Sequence, residues 1–126
     1  MRYVWIIVGL TLGACAPFVP VADLDEVPAS QKQESLRIRV YTVGSENYPE
    51  IERHLAPVTA YSCKFLMTDP PASKGEALSR LRLEASKLNA DGIIDVTFDT
   101  RGADAWGTNC WESVQASGTA VRFKHQ

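Results

Sequence analysis

After residue 14 the chain has no apolar run long enough to cross a bilayer, which takes about 20 residues. The remainder is therefore expected to be a soluble domain. Histidine is scarce, with only His54 and His125 in 126 residues. A hydrolase would need a nucleophile, a base and a group that orients the base. His125 stands next to last, where a side chain is poorly held. His54 has Glu50 and Glu52 beside it, without the ligand spacing of a closed metal site. An enzyme, a metal centre and a bound cofactor are all unexpected. An excess of positive charge is missing too: 13 Lys and Arg stand against 15 Asp and Glu, which gives no support to a nucleic-acid partner. The three cysteines include no Cys-x-x-Cys pair, so thiol oxidoreductase chemistry fits poorly.

What is present begins with a leader. In residues 1–14 Arg2 is the only charge, followed by the apolar run from Val4 to Leu10 and then small residues. That is the layout of a secretory signal. Leu12-Gly13-Ala14-Cys15 resembles the bacterial lipobox. Small side chains let a peptidase reach the bond before Cys15, and only a thiol can carry thioether-linked diacylglycerol. Cys15 is thus the expected lipidation site, and this lipid is the only attached group expected. Several lipid tails give stable rather than reversible anchoring. The next residue is Ala16, not Asp, which favours the cell outer membrane, with the domain facing the periplasm.

Taking 14 residues from 126 leaves 112, enough for one domain with a modest core. Residues 15–35 read as the lipidated cysteine and a flexible tether, broken by Pro17, Pro20 and Pro28 and solvated by Asp23, Asp25 and Glu26. Such a coil of about 20 residues has a mean reach of roughly 25 Å. Residues 36–126 read as the folded domain. "LRIRV" from Leu36 alternates as a half-buried strand, and residues 58–66 form a second strand after Pro57. Ser73 is placed to cap a helix from Lys74 to Asn89, and Gly92 to close it in a left-handed turn. Residues 93–98 and 113–123 supply two more strands. The expected fold is α+β: a small, largely antiparallel four-stranded sheet with one main helix packed across it, in the order β-β-α-β-β.

Once Cys15 is lipidated, Cys63 and Cys110 remain as an even pair in an exported chain, most simply a disulfide. Closing a loop of nearly 50 residues stabilises the fold by roughly 4 kcal/mol in the chain-entropy model. At 100° per residue, Ala77, Leu81, Ala85 and Leu88 share the buried face of the helix. Glu76, Arg80, Glu84 and Lys87 share the opposite face, with Leu83 among them. Arg80, Leu83 and Lys87 are therefore candidates for a partner-binding patch. Trp106 and Trp111, flanking Cys110, are a second candidate, since large aromatics often anchor interfaces.

Several blocks, "IRVYT", "YSCKF", "DPPAS", "LSRLRLEASKLNADGII" and "NCWESVQASGTAV", together resemble the RcsF family of outer-membrane lipoprotein sensors. The resemblance covers roughly residues 37–122 and the lipobox. It implies a non-catalytic sensor of envelope stress that activates the Rcs phosphorelay by contacting an IgaA-like inner-membrane repressor. It also implies resting partners among the β-barrel assembly machinery and porin-type outer-membrane proteins. The second disulfide of that family would fall on Thr97 and Ala116, leaving Cys63–Cys110 as the one bridge. A small outer-membrane lipoprotein with the same layout, a structural or binding role and no signalling is the alternative.

Overall fold

The computed structural model describes residues 19–103 and 106–125. The leader and Cys15 lie outside the described residues. Six elements follow in order: α1 (Ala29–Leu36), β1 (Arg39–Thr42), β2 (Ile51–Lys64), α2 (Lys74–Lys87), β3 (Gly92–Arg101) and β4 (Glu112–Phe123). The four strands form one sheet in the order β1-β3-β4-β2. The β2–β4 and β3–β4 pairs are antiparallel and the β1–β3 pair is parallel. The fold is α+β with one main helix across a four-stranded sheet. The expected strand-strand-helix-strand-strand order is present, preceded by α1. Among the described residues no helix is long and apolar enough to cross a membrane.

Helix α2 starts where the sequence places its cap. The Ser73 backbone is extended and its hydroxyl oxygen accepts the Glu76 N–H at 3.2 Å. It ends one turn before Gly92. Asn89 takes the left-handed conformation at φ 55°, with its N–H on Ser86 O and the Ala90 N–H on Ala85 O. Asn is a tolerated residue at that position. Gly92 instead opens β3, where a Cβ would sit 2.6 Å from the Phe123 ring and 3.0 Å from Arg39 O. The glycine is required by close approach, not by a turn.

The core lies between α2 and one sheet face. Ala77, Leu81 and Ala85 pack against Val58, Ala60, Ile93, Val96, Val114, Ala116 and Ala120. Ile93 and Val96 are three apart yet join the same cluster, which strict alternation forbids. The reason is a bulge: Asp95 has φ 54° and the β3–β4 register shifts between Ile94 and Thr97. Beneath the opposite face a smaller cluster gathers Ile94, Val121 and Phe123 with Tyr41, Tyr48 and Ile51.

Three expectations are corrected. Leu36 ends α1 and is exposed; the Arg37 and Ile38 N–H groups close the helix onto Glu34 O and Ser35 O, so the first strand begins at Arg39. β2 begins at Ile51, seven residues earlier than the alternation after Pro57 suggests, and it carries His54 in a strand rather than a loop. Pro57 is accommodated because β2 is an edge strand. Third, the stretch expected as a tether is structured in its described part. Ala29–Leu36 is helical and packs on α2, and the Val19 N–H donates to Gly107 O at 3.0 Å.

Candidate functional site

Of the three residues that the sequence offered as a docking face on α2, Arg80 and Leu83 are buried in the fold and Lys87 is not. Arg80 is 8% exposed. Its Nη2 pairs with Glu76 Oε1 at 2.9 Å, Nη1 donates to Tyr61 O at 2.9 Å and Nε donates to Ala22 O at 2.7 Å. One guanidinium thereby ties α2 to the edge strand β2 and to the segment before α1, using the planar fork that Arg alone provides. Glu76 is held in turn by the fully buried Ser62, whose hydroxyl donates to Glu76 Oε2 and accepts the Ser73 N–H at 2.9 Å. Leu83 is 6% exposed and lines a cavity with Ala22, Val27, Pro28 and Gln31. Helical periodicity put Arg80 and Leu83 on the face away from the sheet correctly, but that face is covered by α1 and residues 19–28. Lys87 stays exposed and pairs with Glu84 at 2.8 Å. Leu88, expected on the buried face, is 39% exposed because α2 has ended there.

The Cys63–Cys110 disulfide is formed, with Cα atoms 5.5 Å apart. It joins the end of β2 to the loop that enters β4. The residues that follow each cysteine carry exposed apolar side chains. Leu66, Met67 and Trp111 are 61%, 77% and 59% exposed, and Phe65 is exposed beside them. The two segments are fastened together: the Trp111 N–H donates to Lys64 O at 2.8 Å. The turn carrying Leu66 and Met67 is closed at both ends, with the Leu66 N–H on Asp69 Oδ2 at 2.8 Å and the Asp69 N–H on Leu66 O at 3.1 Å. Four large apolar side chains are thus presented by ordered backbone. Trp106 differs from Trp111. It is half-buried, 6.2 Å from the Tyr61 ring, with the Arg101 guanidinium 5.0 Å from its own. The sequence named Trp111 for this surface and missed Phe65, Leu66 and Met67. Their uninterrupted apolar run after a strand was the available signal.

The opposite end of the molecule holds an open cleft of about 780 Å³ between Arg39, Tyr41, Tyr48, Glu50, Lys124 and His125. Lys124 pairs there with Glu50 at 2.8 Å, and the Arg39 guanidinium lies 4.9 Å over the Phe123 ring. Glu52 and His54 are exposed on β2. Among the described residues no group of three or more His, Cys, Asp and Glu is placed to hold a metal ion.

Residues 63–124 match the model of a family, YbjQ, described as "putative heavy-metal-binding". A UPF0145 protein of Enterococcus faecalis is 44% identical over 50 residues, which are 40% of this chain. The chain spans 44% of the length of that curated relative. A crystal structure of a DUF74-family protein of unknown function from Pediococcus pentosaceus superposes with a TM-score of 0.50 at 20% identity, covering 69% of this chain and 98% of that one. That likeness is one of fold. The similarities run to a different family from RcsF, and the expected resemblance is corrected accordingly. With it fall the envelope-stress sensor and its Rcs phosphorelay; the IgaA-like repressor and the β-barrel assembly and porin partners lose the resemblance that implied them, and these similarities lend the outer-membrane lipoprotein alternative no direct support. The geometry agrees. Thr97 is exposed on one sheet face, while Ala116 is fully buried under α2 on the other. No second bridge could join those positions.

Proposed function

We propose that this chain is a non-catalytic protein, exported and attached to a membrane through lipid on Cys15, that works by contact through its disulfide end. The observation that carries this reading is the ordered presentation of Phe65, Leu66, Met67 and Trp111 on two segments fastened by Cys63–Cys110 and by the Trp111–Lys64 hydrogen bond. Large apolar side chains grouped at one surface mark a contact site. The disulfide supports the export half of the reading, because such bonds persist in oxidising compartments.

Heavy-metal binding, the role in the matching family's description, does not fit the described residues. No donor set gathers there, and the two described cysteines are bonded to each other instead of offering thiolates. No step through a metal is derived.

Methionine oxidation tests the reading, since Met67 is the only methionine beyond the leader. In native membranes peroxide should convert Met67 to its sulfoxide much more slowly than in the denatured chain. Equal rates would show the surface open to water and sink the proposal.

A further inference from the structure

The first described residue lies at the same end as this apolar surface. The Val19 N–H bonds Gly107 O at 3.0 Å, and Val21, Ala22 and Asp23 line a cavity with Cys63 and Phe65. Gly107 is four residues from Trp111 along the chain, at most about 14 Å. Only Ala16, Pro17 and Phe18 separate Cys15 from Val19, so a lipid on Cys15 is again within about 14 Å of Val19. The expected tether of about 20 residues is thus reduced to three, because residues 19–28 are laid back along α2. A leash that short holds the disulfide end against the headgroup layer. The side chains it brings there suit that layer: an indole, with an apolar ring and a polar N–H, and a turn tipped with Leu and Met.

We infer that the surface formed by Phe65, Leu66, Met67 and Trp111 seats on the lipid bilayer itself, so that the domain rests on the membrane instead of swinging from it. This deepens the proposed function by naming the occupant of its contact surface, and it rests on lipidation of Cys15.

The test uses the processed, lipidated chain as the only protein in phosphatidylethanolamine/phosphatidylglycerol vesicles, with and without brominated acyl chains. In a Trp106→Phe background Trp111 is the sole indole beyond the leader. Its emission should be quenched by the brominated lipid. Leu66→Ser/Met67→Ser, which alters only exposed positions, should lose that quenching while still floating with the vesicles and melting like the parent. Two outcomes overturn the inference and leave the contact reading standing: Trp111 unquenched although Met67 is protected in native membranes, which marks a protein partner, or Trp111 shielded only as protein density rises, which marks a second copy. Absence of fatty-acid label on Cys15 removes the leash and overturns inference and lipid reading together.

Discussion

At the residue scale, Arg80 shows how a surface-like pattern becomes interior. Nothing in the sequence of α2 distinguishes it from an ordinary solvated arginine. What buries it is a segment some sixty positions earlier, and helical periodicity carries no information about a second layer. Replacing Arg80 by Met keeps the apolar stem but leaves Glu76, Tyr61 O and Ala22 O without their donor. Urea denaturation should show a loss of about 2–4 kcal/mol, between that of a charged hydrogen bond and a buried ion pair, since Glu76 is 35% exposed. A loss under 0.5 kcal/mol would mean the guanidinium is dispensable. Ser73, by contrast, was legible, because a capping serine three residues before a glutamate is a local signal.

The elements were readable where their periodicity is clean and misread where it breaks. α2, β3 and β4 came out within a few residues. β2 lost its first half because "IERHLAP" has charged residues and a proline in a strand exposed along one edge, so alternation there has little burial to report. The bulge in β3 is a further case: strict alternation along "IIDVTF" puts Ile93 and Val96 on opposite faces, and only the positive φ at Asp95 explains why they share one. The bulge can be tested directly. Asp95→Gly should be neutral or raise stability by up to about 1 kcal/mol, whereas Asp95→Val should cost about 1–2 kcal/mol, because a β-branched residue is strained in the left-handed region. If Val is tolerated as well as Gly in a thermal melt, the backbone at 95 is not what is described here.

For the whole molecule, the disulfide is the one covalent constraint among the described residues, spanning 47 positions. Removing it should cost about 4 kcal/mol in the chain-entropy model, a large share of the stability of a domain this small. Cys63→Ala, Cys110→Ala and the double variant should therefore melt alike, because each removes the same bond. Single variants that melt like wild type would refute the bridge. The pairing was legible from cysteine arithmetic, and the α+β class from the order of periodic segments. The parallel β1–β3 pair was not, since nothing local to "RVYT" reports which strand it will meet. Of the exposed apolar side chains at the disulfide end only Trp111 was singled out, because exposure of Leu66 and Met67 depends on a turn whose closure by Asp69 only the folded backbone reveals.

The strap across α2 also sets an order of events. Ala22 meets Arg80 across 58 positions, and Val19 meets Gly107 across still more. Contacts so distant in sequence close after local ones, since the loop entropy must be met first. The sheet and α2 can assemble from residues 39–123 alone, and the strap can then settle onto a surface already made. Until it does, Arg80 Nε lacks its Ala22 O acceptor and the β2 edge from Thr59 to Tyr61, which lines a cavity with residues 19–22 in the finished fold, lies open; an open edge invites pairing with other chains. The moment of greatest exposure to misassembly therefore falls before the strap has settled.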